Sequence, residues 1–204
     1  VHARIAAAAR AAGRDEKDVS LLAVSKTWPA ECVRLAAAAG QHAFGENYVQ
    51  EGVAKVAELE SLGLAWHFIG PLQSNKTRPV AESFDWVHSV ERMKIAERLS
   101  EQRPAGKSPL NVCLQVNVSG EASKSGCAPE EAVALAKAIA ALPNLRLRGL
   151  MCIPEPAEDV EAQRRPFRQL RELYEQLRAE GLPLDTLSMG MSHDIEAAIA
   201  EGAT

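Results

Sequence analysis

Seven times along this 204-residue chain a short apolar run is followed by a segment with helical spacing, and no two apolar runs adjoin. Adjacent strands separated by helix-length segments pair in parallel through crossover connections. The runs fall at 21–25, 43–45, 66–69, 86–88, 111–118, 145–153 and 186–191. They are apolar almost throughout rather than at every second residue, as expected of a parallel sheet covered on both faces. An Ala-rich helix over about 3–12, stopped by Gly13, is predicted ahead of the first strand. Pro29 and Pro129 stand where helices begin, and Gly40 and Gly63 where they end. Phe167, Leu170, Leu173, Tyr174 and Leu177 mark one face of a later helix. The fold class is therefore α/β, as an open doubly wound sheet or a closed (β/α)₈ barrel of TIM type. Seven strands suit either. No GxGxxG follows the first strand, and the barrel is the preferred reading. No linker or low-complexity tract divides the chain, so residues 1–204 are expected to form one domain, with 154–159 as a solvated turn.

Hydrophobic content of 47%, charged content of 25% and a net charge of −4 describe a globular protein with no basic surface for nucleic acid or anionic membranes. No apolar stretch reaches the roughly 18 residues of a transmembrane helix, and the first residues show no signal-peptide pattern. Residue 1 is Val, so native residues are expected to precede it. The four cysteines form no CxxC pair and have no metal-ligand spacing. A reduced, cytoplasmic, monomeric protein without a metal is expected.

In a barrel, the loops after the strands carry the chemistry. Lys26, ending the first apolar run, is the sharpest residue there. An amine held among apolar neighbours loses its proton more easily, and a neutral amine is what Schiff-base formation needs. Position alone leaves a lysine that snorkels to the strand rim equally open. Asn47 with Gln50 fits a capping box, though the same amide could face a ligand. His67, between Trp66 and Phe68, reads as a hydrogen-bonded core histidine, and the other histidines form no cluster with each other. Ser89 is placed to cap the helix carrying Met93, Ala96 and Leu99. In Ser188-Met189-Gly190-Met191-Ser192, glycine allows a sharp turn and Ser192 stands at an N-cap position with Asp194 in the first turn. Backbone N–H groups at Met191 and beyond would then suit an anion, or Ser192 is a plain cap. Lys124 reads as a solvated loop lysine.

Six segments together carry a resemblance. They are Val24-Ser25-Lys26-Thr27, Phe44-Gly45-Glu46-Asn47-Tyr48-Val49-Gln50-Glu51 and His67-Phe68-Ile69-Gly70-Pro71-Leu72-Gln73-Ser74-Asn75-Lys76, then Ser123-Lys124-Ser125-Gly126, Leu147-Arg148-Gly149-Leu150-Met151 and Ser188-Met189-Gly190-Met191-Ser192-His193-Asp194. In this order they resemble the pyridoxal phosphate homeostasis family, whose fold is similar to the barrel domain of alanine racemase. The resemblance implies that Lys26 holds pyridoxal 5′-phosphate as a Schiff base, that Asn47 and His67 lie near it, and that Ser192, with the N–H groups around Met191, holds its phosphate. It also implies an eighth strand with an Arg-x-Gly-Thr stretch. This chain ends at Thr204, before that stretch, so seven strands are expected here, with an unpaired edge or a gap between the first and the seventh.

The family's function is to sequester the cofactor and deliver it to apo-enzymes, without robust catalysis. Two rivals remain at this point. An amino-acid racemase needs a second proton donor on the far side of the cofactor; Tyr48 and Tyr174 both fall in helical segments and neither is well placed. A Schiff-base aldolase would use a barrel lysine with an acid–base partner and no cofactor.

Overall fold

A computed structural model describes residues 1–120 and 125–204. Its seven strands are β1 (Ala23–Val24), β2 (Ala43–Glu46), β3 (Ala65–Phe68), β4 (Trp86–Val90), β5 (Leu110–Gln115), β6 (Leu145–Met151) and β7 (Thr186–Ser188). All pair in parallel, and their order in the sheet is their order in the chain. That order separates the two architectures, because a doubly wound sheet reverses strand order at a switch point and a barrel does not. The α/β barrel reading preferred from the alternation is thus borne out, as seven parallel strands forming a half-barrel. β1 and β7 do not pair with each other. Thr204 lies between them, accepting from the Ser20 amide at 2.7 Å and donating to the Leu187 carbonyl at 3.1 Å.

Helices α1 (His2–Ala11), α2 (Ala30–Ala38), α3 (Val49–Glu58) and α4 (Thr77–Ser83) belong to the first half of the chain. Helices α5 (Met93–Gln102), α6 (Pro129–Ala140), α7 (Val160–Ala179) and α8 (Ile195–Ala200) complete the outer layer. α1 ends as its sequence suggests: Gly13 takes φ +68, and the Arg14 amide reaches back to the Ala9 carbonyl. One large core lies between sheet and helices, with Phe44, Trp66, Phe68, Phe84, Leu114 and Phe167 among its buried side chains. A smaller cluster joins Ile5, Ala8 and Ala9 of α1 to Ile199 of α8. Buried Glu201, just past α8, accepts from Arg164 and Arg168 and so ties α8 to α7.

Four local expectations fail. Ser89 caps nothing: β4 continues to Val90, Ser89 is buried inside it, and Arg92 precedes α5. Asn47 and Gln50 form no capping box, since α3 begins after Tyr48, which makes no side-chain cap. Tyr48 itself is extended (φ −115°, ψ 122°) and exposed, not helical. The residue at the N-cap of α8 is Asp194 rather than Ser192. In each case the strand or its exit loop runs further than the apolar pattern suggests, which moves the helix start along the chain.

Candidate functional site

The carboxyl ends of β1, β2, β3 and β7 bring the expected site residues to one rim. Lys26 follows β1 by two residues and its side chain is exposed to solvent, not enclosed among apolar groups as its sequence position suggested. Thr27 beside it takes φ +66. Asn47 leaves β2, and the register pairing Val24 with Gly45 brings it level with Lys26. Its Oδ1 is buried and has no hydrogen-bond partner among the described residues. A free amide carbonyl out of contact with solvent costs roughly 1–3 kcal/mol, so it is set toward a missing donor rather than toward a helix end. Gly70 makes this tight geometry possible, because a Cβ there would lie 2.2 Å from the Asn47 carbonyl oxygen.

The inner face of the sheet carries a polar chain that the sequence pattern did not reveal. His67 Nδ1 and His88 Nε2 are 2.8 Å apart, and His88 Nδ1 is 2.6 Å from Ser188 Oγ. These residues come from β3, β4 and β7, so the contact with Ser188 spans the inside of the curved sheet. Burial and the neighbouring His88 push the His67 pKa down to about 3, and burial lowers His88 to about 4. Both rings are neutral at neutral pH, each with one donor and one acceptor nitrogen. Trp86 stacks on His67 with ring centroids 5.2 Å apart, and the Arg148 guanidinium lies 4.5 Å from the Trp86 ring centre. Arg148 is held in turn by Asp185 at 2.6 Å. The signal for this chain was two histidines at inward positions of successive strands, visible only once the register of β3 and β4 is known.

Beyond β7, Gly190 adopts φ +97 and packs so close that a Cβ would lie 2.6 Å from that of Ala198. The exposed Met191 donates its amide to Asp194 Oδ1 at 2.5 Å, so an internal carboxylate occupies that N–H. The Ser192 hydroxyl is exposed and has no partner among the described residues, while its carbonyl accepts from Arg4 at 3.0 Å. Lys124 lies outside the described residues. Burial raises the thiols of Cys113 and Cys127 to about 12 and about 11 and raises Cys152 as well, so none of these three is poised as a nucleophile. All four cysteines are free thiols. No described helix is long and apolar enough to cross a membrane.

A parallel barrel with a rim lysine after its first strand and an orphaned amide beside it defines a class. Residues 1–203 match the alanine racemase N-terminal domain family. Alanine racemase from Corynebacterium glutamicum shares this fold at TM-score 0.61 and 16% identity, with 91% of this chain and 51% of that one covered. Much nearer is the pyridoxal phosphate homeostasis protein of Pseudomonas aeruginosa, 69% identical over 204 residues, covering all of this chain and 87% of that one. The Escherichia coli K12 protein of the same name is 53% identical over 207 residues, covering all of this chain and 88% of that one. PipY of Synechococcus elongatus, solved with PLP bound, superposes at TM-score 0.85 with 41% identity, covering 100% of this chain and 95% of that one. The chain belongs to the pyridoxal phosphate homeostasis protein family.

Proposed function

We propose that this protein, as a single barrel domain, binds pyridoxal 5′-phosphate at Lys26 and maintains its supply, holding it and passing it to apo-enzymes without turning over amino acids. The observation that carries the reading is the unpartnered, buried Asn47 Oδ1 level with the exposed Lys26 amine. PipY, solved with PLP bound, and the pyridoxal phosphate homeostasis proteins among this chain's relatives support it. The cofactor supplies an aldehyde, which condenses with a primary amine with loss of water, and a phosphate group. In this chain Lys26 offers the amine and Asn47 an acceptor. His67 adds a neutral imidazole held by His88, and Ser192 would meet the phosphate, the Met191 amide being taken by Asp194. Among the described residues neither tyrosine is placed as a second acid–base group. Tyr174 donates its hydroxyl to the Leu184 carbonyl at 3.0 Å inside the helix layer, and Tyr48 stands exposed at the mouth.

Borohydride reduction after addition of pyridoxal phosphate should label Lys26, and Lys26→Ala should lose the label. Equal labelling of both proteins would remove Lys26 from the site. Ser192→Ala should weaken pyridoxal phosphate far more than unphosphorylated pyridoxal. Deuterium exchange at Cα of L- and D-alanine tests the absence of turnover. Exchange at ordinary enzymatic rates, about 1–10³ s⁻¹, would make the protein an enzyme, and Tyr48→Phe would show whether Tyr48 supplies the second base.

A further inference from the structure

A second lysine lies close to Lys26, and its surroundings are the opposite. Lys55 of α3 is buried, and its ammonium makes three hydrogen bonds: to the Ser25 carbonyl at 2.6 Å, to Glu46 Oε1 at 2.7 Å and to Glu51 Oε1 at 2.7 Å. Three bonds use all three donors of the group. Burial opposes the charge, but the bonds to Glu46 and Glu51 outweigh it and raise the Lys55 pKa, while Glu51 is held low chiefly by its bond to Lys55. Lys55 therefore has no free lone pair with which to attack a carbonyl.

What Lys55 and its partners hold is the backbone on each side of Lys26. Before it, Ser25 is fixed twice, by its carbonyl on Lys55 and by its hydroxyl donating to Glu46 Oε1 at 2.6 Å. After it, the Thr27 amide donates to Glu51 Oε1 at 2.6 Å. Thr27 sits at φ +66, a left-handed conformation that costs a β-branched residue about 1–3 kcal/mol and persists only where neighbours impose it. Gly52 lets α3 come near enough to impose it: a Cβ there would lie 2.6 Å from the Phe84 ring and 3.1 Å from Glu46 Cβ. An ion pair serving only to dock α3 would have no need of contacts with both flanking peptides.

We propose that Glu46, Lys55 and Glu51 form a clamp that fixes the backbone around Lys26 and so aims its amine, with Glu51 as the positioning residue that holds the Thr27 turn. The proposal rests on Lys26 being the anchoring amine. Two conservative variants separate contact from charge: Glu51→Gln keeps an acceptor long enough to reach the Thr27 amide, while Glu51→Asp keeps the charge and loses the reach. Both place a polar residue in the partly exposed first turn of α3, where folding is not at stake. The readouts are hydrogen exchange of the Thr27 amide without cofactor, and the time course of borohydride-trapped pyridoxal phosphate on Lys26. The clamp requires Glu51→Asp to speed Thr27 exchange and slow Lys26 trapping about tenfold, within the range that misplacement of a reacting group costs. Glu51→Gln should stay near wild type in both. Equal effects of the two variants, or a larger one for Gln, would overturn it. Wild-type label elsewhere than Lys26 would sink the anchoring assignment and with it the aiming of that amine, while the exchange arm would still decide whether Glu51 holds the turn.

Discussion

Two buried polar clusters lie on opposite faces of the same sheet, and they solve the problem of burial differently. The outer one, between β1, β2 and α3, is ionic: Glu46 is fully buried, Lys55 nearly so, and each charge meets an opposite charge or a peptide group. The inner one, His67–His88–Ser188, is neutral, and each of its members can give or accept one proton. Of the two clusters only the outer one carries charge, and there a helix brings counter-charges within 3 Å. The inner side is lined by groups whose hydrogen-bonding sense can adapt. The lesson is one of division: the ionic cluster resists rearrangement, and the neutral chain permits it.

Removing one partner from the ionic cluster should break it outright. Lys55→Met leaves the Glu46 carboxylate buried beside Glu51 with no cation, which should destabilise the protein by about 3–5 kcal/mol in urea unfolding. Adding Glu46→Leu should recover at least half of that loss, because an apolar pair replaces an unpaired charge. If the single variant proves mild, the cluster is no more ionic in effect than the inner one.

The neutral chain should fail through pH instead. His88 has a folded pKa of about 4 against 6.5 in a free chain, so below pH 6.5 the unfolded state binds more protons than the folded one. Stability from keeping His88 neutral is complete above pH 6.5 and is lost as pH falls through that window toward 4. The loss is about 3 kcal/mol, and His67 acts in the same direction with a window reaching about pH 3. His88→Asn should flatten this part of the stability profile relative to wild type. An unchanged slope would show that the pair does not titrate as a buried neutral unit. A smaller effect is expected of Ser188→Ala, which deprives His88 Nδ1 of its partner. About 1–2 kcal/mol in thermal unfolding at pH 7.5 would be lost, and no loss would place the end of the chain elsewhere.

The same two clusters show what a sequence discloses. Alternation of apolar runs and helical segments predicts seven parallel strands, because burial on both faces writes itself into every residue of a run. Lys26 stands out for the same reason, as a charge that ends such a run. The Glu46–Lys55 pair joins a strand end to the second turn of the next helix, and nothing in local spacing distinguishes it from ordinary surface charge. His67 and His88 meet only because neighbouring strands pair His67 with Trp86, a register that no single strand encodes. Asn47 and Ser192 both sit where a cap is a fair expectation from residue type. Their actual roles depend on where the exit loops of β2 and β7 hand over to helix, and those boundaries are fixed by packing rather than by propensity.

Gly149 sits in β6 where a Cβ would fall 1.7 Å from the Thr186 carbonyl oxygen, well inside any allowed contact. It acts as a spacer of zero thickness between the sixth and seventh strands. A single methyl group there would push β7 outward, and with it Ser188 and the turn that leads to Ser192. The spacing of these two strands at this point is therefore set by a residue that contributes no side chain. A mutation at this position would be felt at Ser188 and along the exit loop of β7 rather than at residue 149 alone.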